Sequence, residues 1–103
     1  MKEVNKHISA LRKDYSTYIF DEKHVLDSPF EQFNEWMGQA IKAEIPEVNA
    51  VTLSTTGNNK RPSSRIVLLR GFSDQGFSFY TNYNSKKGNQ IAENPFGAIN
   101  IFW

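Results

Sequence analysis

Arg65 and Arg70 stand at the two ends of a short aliphatic run, Ile66-Val67-Leu68-Leu69, and Ser85-Lys86-Lys87 follows further along the chain. A guanidinium grips a phosphate through two parallel hydrogen bonds, and an aliphatic wall between two such groups suits a flat hydrophobic ring. On spacing alone, the two arginines read equally well as solvated strand ends. Ser85 has the character of a helix cap, and the unpaired N–H groups of a helix start favour an anion. Two lysines in that first turn oppose the helix dipole, at about 0.3–1 kcal/mol each, and a bound phosphate relieves the conflict. Tyr80 and Thr81, just upstream, offer two hydroxyl donors or serve as plain strand residues.

Other chemistry is thin. His7 and His24 are the only histidines, 17 positions apart, and are read as solvent-exposed rather than as a metal or acid–base pair. The absence of cysteine excludes disulfides, thiolate metal sites and a cysteine nucleophile. There is no nucleophile elbow, no P-loop and no Gly-x-Gly-x-x-Gly. If the chain is part of an enzyme, a cofactor carries the reaction. Arg12-Lys13-Asp14-Tyr15 is a mixed-charge cluster that by itself reads as a solvated helix end.

Composition narrows the class. The chain has 103 residues, which suits one domain over 1–103, and 14% aromatic residues argue against disorder. Net charge is +1, so a polybasic protein is excluded. The charge is unevenly placed. Residues 1–50 hold six basic and nine acidic residues, a net −3, and residues 51–103 hold six basic and two acidic, a net +4. That asymmetry points to an anion held by the second half. Aromatics on strands (Phe77, Phe79, Tyr80) beside basic residues also fit single-stranded nucleic acid. The basic residues flank apolar runs rather than forming a stripe, so a nucleic-acid partner ranks last. No run approaches the ~20 apolar residues of a membrane span, and no export signal is present. No membrane partner and a cytoplasmic location are the expectations.

The elements that must position these residues fall into two halves. Residues 1–46 are expected to be a helical segment. Val4, Ile8 and Leu11 predict an amphipathic helix over 3–14, and residues 16–27 read as loop. Ser28-Pro29-Phe30-Glu31 is a strong helix start, with Ser28 capping, Pro29 in the first turn and Glu31 closing a capping box. Phe30, Phe33, Met37, Ala40 and Ile41 make its apolar stripe, and the helix should end near Glu44, ahead of Ile45-Pro46. Residues 47–103 read as antiparallel strands: 50–56, 64–70, 77–81 and 96–103, with turns at 57–60 and 73–76 and a short helix over 86–93. The strand over 64–70, apolar on both faces, is expected to be central. Three strands form a meander and the fourth returns after the helix, giving an α+β, mainly β, antiparallel sheet or barrel packed with helices. Ala98-Ile99-Asn100-Ile101-Phe102-Trp103 stops inside an apolar strand. The expectation is either a partner chain over that edge or, preferred, that the chain is the front part of a longer protein.

Taken in order, Arg65-Ile-Val-Leu-Leu-Arg70, Phe79-Tyr80-Thr81-Asn82, Ser85-Lys86-Lys87, Gln90-Ile91 and Asn94-Pro95 resemble the first half of the pyridoxamine 5′-phosphate oxidase family. Leu11-Arg12-Lys13-Asp14-Tyr15 is similar to that family's N-terminal segment, and Phe33 with Trp36 to its first helix. The resemblance covers nearly the whole chain. It implies the N-terminal half of an FMN-binding split β-barrel that works as a homodimer with FMN between subunits. It implies oxidation of pyridoxamine or pyridoxine 5′-phosphate to pyridoxal 5′-phosphate, with oxygen as acceptor and hydrogen peroxide as product. It places Arg65, Ile66, Val67, Leu68 and Leu69 along FMN, with Arg65 at the phosphate, and adds Tyr80, Thr81, Lys86 and Lys87 to the FMN contacts. Arg70 is implied in both roles, as an FMN contact at the end of the same strand and as the residue that meets the substrate phosphate, with Arg12, Lys13, Asp14 and Tyr15 closing over the substrate. The family's strand usually ends in lysine where Arg70 stands, which keeps the charge and changes the geometry. The chain lacks the family's second half, where further flavin contacts and a substrate-binding arginine and histidine would lie. A non-catalytic FMN-binding module of the same barrel type is the alternative implied by the same residues.

Overall fold

A computed structural model describes residues 1–11 and 20–103. Helix α1 (Lys2–Ala10) forms as its apolar spacing predicts, though it stops short of residue 14. Val4, Ile8 and Leu11 remain largely exposed. Arg12, Lys13, Asp14 and Tyr15 lie outside the described residues.

Helix α2 (Pro29–Lys42) begins where Ser28 places it: the Ser28 hydroxyl accepts from the amides of Phe30 and Glu31 at 3.2 and 3.4 Å. Glu31 does not return a bond to Ser28 among the described residues, so half of the expected box forms. The helix ends two residues before Glu44. The amide of Ile45 bonds the carbonyl of Ala40 (3.2 Å), and the amide of Glu44 bonds that of Ile41 (3.0 Å). That pair of bonds is a Schellman termination, which needs a left-handed residue at its centre. Glu44 takes that conformation with φ 55.

Strand β1 (Ala50–Thr56) buries every second residue: Val51, Leu53 and Thr55. Strand β2 (Pro62–Ser73) is longer than its apolar run and pairs antiparallel with β1, setting Val51 against Val67, Leu53 against Arg65 and Thr55 against Ser63. Strand β3 (Gly76–Phe79) is short and pairs only with Leu69–Ser73. A register shift between Leu69 and Gly71 leaves Arg70 as the extra residue of a bulge. Helix α3 (Lys86–Glu93) then crosses back, and β4 (Gly97–Asn100) pairs with the other edge of β1. The sheet order is β3-β2-β1-β4, a Greek key in which β2 is interior as expected.

The core is the covered face of β1 and β2. Val51, Leu53, Val67 and Leu69 meet Met37 of α2. Phe33 adds edge-on contacts to Phe72 and Phe77, with ring centroids 4.8 and 5.0 Å away. These contacts fix α2 over the β2–β3 end of the sheet.

A non-glycine residue in the left-handed region costs about 1–2 kcal/mol. Glu44→Gly is therefore expected to stabilise the fold by about 1 kcal/mol, read as a raised midpoint in thermal or urea unfolding.

Candidate anion site at the polar end of the sheet

The covered face of the sheet changes character along its length. At one end it is apolar. At the other it carries Arg65, Thr55 and Ser63, brought together by the β1–β2 register. Arg65 is half-buried. One of its terminal nitrogens, Nη1, donates to the Leu53 carbonyl (3.2 Å) and to Thr55 Oγ1 (2.6 Å); the other, Nη2, reaches Gln90 Oε1 at 3.5 Å. The Thr55 hydroxyl donates to Gln90 Oε1 at 2.6 Å, and Gln90 Nε2 donates to Ser63 Oγ at 3.4 Å. Thr55 and Gln90 are 3% and 7% exposed, so these bonds replace water. Left unpaired, such groups cost about 1–3 kcal/mol each.

Helix α3 starts at Ser85, whose hydroxyl accepts from the Gly88 amide (3.2 Å) and donates to the Asn82 carbonyl (2.7 Å). Lys87 Nζ lies 3.3 Å from the same hydroxyl and is half-buried, whereas Lys86 is exposed. Gln90 follows these lysines by four and three residues, which places all three on one side of the helix. Arg65 is thus joined to the lysine-bearing face of α3 through Gln90. Gly88 permits the tight entry: a Cβ there would meet the Tyr83 carbonyl oxygen at 2.5 Å.

The remaining expected site residues are placed differently. Arg70 is exposed, and strand alternation puts it with Ile66 and Leu68 on the face opposite Arg65. Val67 and Leu69 share Arg65's face and are buried in the core. The expected aliphatic wall bracketed by two arginines therefore does not form on one face, because five residues of an extended strand reverse the side. Ile66 and Leu68 are 65% and 45% exposed. Beyond Leu69, β3 no longer pairs with β2, so among the described residues Ser64–Leu68 has a ladder partner on the β1 side only. Tyr80 is 83% exposed just past β3, and the Thr81 hydroxyl is buried with no hydrogen-bond partner among the described residues. His7 is exposed; His24 bonds Asp21 at the surface, and no cluster among the described residues suits a metal ion.

Thr55, Ser63 and Gln90 are members of the site that residue type and spacing do not single out. Thr55 carried a readable signal: it continues the Val51, Leu53 alternation, which marks a polar side chain at a buried register.

An antiparallel Greek-key sheet with two lysines at the start of its crossover helix and a half-buried arginine bonded to that helix makes a half-barrel with a candidate anion site. The model of the family described as pyridoxamine 5′-phosphate oxidase matches residues 37–103. A pyridoxine/pyridoxamine 5′-phosphate oxidase of Verminephrobacter eiseniae is 46% identical over 100 residues, 97% of this chain and 47% of that protein. The chain belongs to the pyridoxamine 5′-phosphate oxidase family. It spans about half the length of the curated relatives it matches. Among solved structures, PhzG of Burkholderia lata bound to tetrahydrophenazine-1-carboxylic acid superposes with a TM-score of 0.79 at 26% identity, over 84% of this chain and 44% of PhzG. A pyridoxamine 5′-phosphate oxidase-related, FMN-binding protein of Nostoc punctiforme gives a TM-score of 0.58 at 26% identity, over 70% of this chain and 38% of its own. The expected fold, the N-terminal half of a split barrel, is what these neighbours share with the chain.

Gly88→Ala is expected to cost about 1–3 kcal/mol by forcing the 82–85 turn away from α3, checked by urea unfolding with the wild type alongside.

Proposed function

We propose that this chain is the N-terminal half of an FMN-dependent oxidase that converts pyridoxamine or pyridoxine 5′-phosphate to pyridoxal 5′-phosphate. Oxygen is the acceptor and hydrogen peroxide the product. The observation that carries the reading is the guanidinium of Arg65. Three of its five N–H donors are used within the chain, and the Nε–H and one Nη2–H have no partner among the described residues. Those two hydrogens lie parallel on one edge, the geometry that receives two phosphate oxygens.

The residues present fit FMN. Arg65, Lys86 and Lys87 would hold the phosphate, with the start of α3 adding its amides. The Thr81 hydroxyl has no partner among the described residues, and Tyr80 stands beside it. The unpaired edge of Ser64–Leu68 offers backbone groups, and Ile66 and Leu68 offer apolar surface, to the ring system. When bound, FMN supplies a two-electron acceptor that takes a hydride equivalent from the substrate and passes the electrons to oxygen. The chain's own part is to bind and orient. Arg70, on the outer face with Ile66 and Leu68, is free to meet the substrate phosphate, and Arg12, Lys13, Asp14 and Tyr15 would close over it. The exposed outer face also supports a homodimer with FMN held between copies, since an apolar strand face of this kind is covered in a stable assembly. A cytoplasmic location completes the reading.

A non-catalytic flavin carrier is the second reading, favoured by the likeness to a protein described as pyridoxamine 5′-phosphate oxidase-related and FMN-binding, with no activity in its description. The test uses the full-length protein. Titration with FMN should quench flavin fluorescence, and adding pyridoxamine 5′-phosphate should release hydrogen peroxide. FMN binding without peroxide selects the carrier; no binding at FMN well above micromolar overturns both. Arg65→Met is expected to weaken FMN binding roughly 10- to 100-fold, since it removes a charged pair of hydrogen bonds.

A further inference from the structure

Gln90, 7% exposed, is the one buried residue of α3. A helix lying on a sheet ordinarily buries an aliphatic side chain there, because a polar group gains nothing from burial unless each of its bonds is remade. Gln90 remakes them on Thr55, Arg65 and Ser63. Its orientation is fixed by chemistry: arginine only donates, so the Gln90 atom facing Arg65 must be the oxygen. The Thr55 hydroxyl accepts from Arg65, so its proton goes to the same oxygen. Hence Thr55 Oγ1 and Gln90 Oε1 together occupy the end of the guanidinium, where Nη1 and Nη2 lie side by side. The Leu53 carbonyl takes the last Nη1 hydrogen. Among the described residues, only the side edge, Nε with Nη2, is left without a partner.

We propose that Gln90, acting with Thr55, is a positioning residue: it fixes the rotation of the Arg65 guanidinium so that its side edge faces a phosphate. This rests on the reading that Arg65 receives the FMN phosphate. Gln90 itself touches no ligand. It converts a flexible cation into an oriented two-donor surface and couples that surface to the lysines one turn earlier on α3. An arginine released from this grip keeps its charge and loses its bidentate geometry.

The experiment compares FMN with riboflavin, which has the same ring and no phosphate, on the full-length protein by flavin fluorescence. Wild type is expected to prefer FMN. Gln90→Met, which keeps volume and removes the amide, should reduce the FMN-to-riboflavin affinity ratio about tenfold while riboflavin affinity holds. Thr55→Val should do the same, and Thr55→Ser, which restores the hydroxyl, should recover the ratio. Equal loss of both ligands in Gln90→Met and Thr55→Val would mean a merely structural role and would overturn the proposal. So would an unchanged ratio in those variants when Arg65→Met lowers it. If Arg65→Met leaves the ratio unchanged, the assignment of Arg65 to the phosphate fails first and the proposal with it. Should Gln90→Met not fold, the Thr55→Val and Thr55→Ser pair decides alone.

Discussion

A charged side chain sits on the covered face of this sheet, directly across from Leu53, and the arrangement around it follows from keeping it there. A guanidinium among apolar neighbours is tolerated only when its donors find acceptors. The chain provides a strand carbonyl, a threonine hydroxyl and a glutamine amide oxygen, each from a different residue. The covered face is divided as a result. Val51, Val67 and Leu69 form a dry end closed by Met37 of α2. Arg65, Thr55 and Ser63 form a polar end closed by Gln90 of α3. Each helix matches the chemistry of the end it covers.

Topology ties that polar end to the lysines. β4 must return across the sheet to pair with β1, and the segment that makes the crossing is α3. A second tie holds it: the Glu93 carboxylate accepts from the Asn58 amide at 3.0 Å, at the tip of the β1–β2 hairpin. Gly57 makes room for this contact, since a Cβ there would lie 2.5 Å from the Glu93 carboxylate. The helix that completes the Greek key is therefore the helix that delivers Gln90 to Arg65 and carries Lys86 and Lys87 one turn before it. Fold and candidate anion site share one set of contacts.

Much of this was legible in the sequence because it is local. Period-two alternation marked β1 to the residue, and Ser28 and Ser85 marked two helix starts through their own backbone bonds. Strand limits were less legible where partners decide them. β2 runs on to Ser73 because β3 pairs with that end, and β3 stops at Phe79, before the expected Thr81. The cationic members of the site stood out by type and spacing. Thr55 and Gln90 did not, since they lie 35 residues apart and acquire their role only when α3 folds over β1.

The opposite-face placement of Arg65 and Ile66 constrains any planar ligand that uses both. A ring lying flat on the covered face would meet Val67 and Leu69, which are already packed in the core, and a ring on the outer face would sit away from the guanidinium. What remains is the edge. β3 parts from β2 after Leu69, so among the described residues the backbone of Ser64–Leu68 is open on that side, with Arg65 on one face and Ile66 and Leu68 on the other. An extended ligand laid along this edge meets main-chain donors and acceptors, an aliphatic pair and a cation in one pass. The short length of β3 is what leaves this edge unpaired among the described residues: one more pair of ladder bonds toward Arg65 would close it.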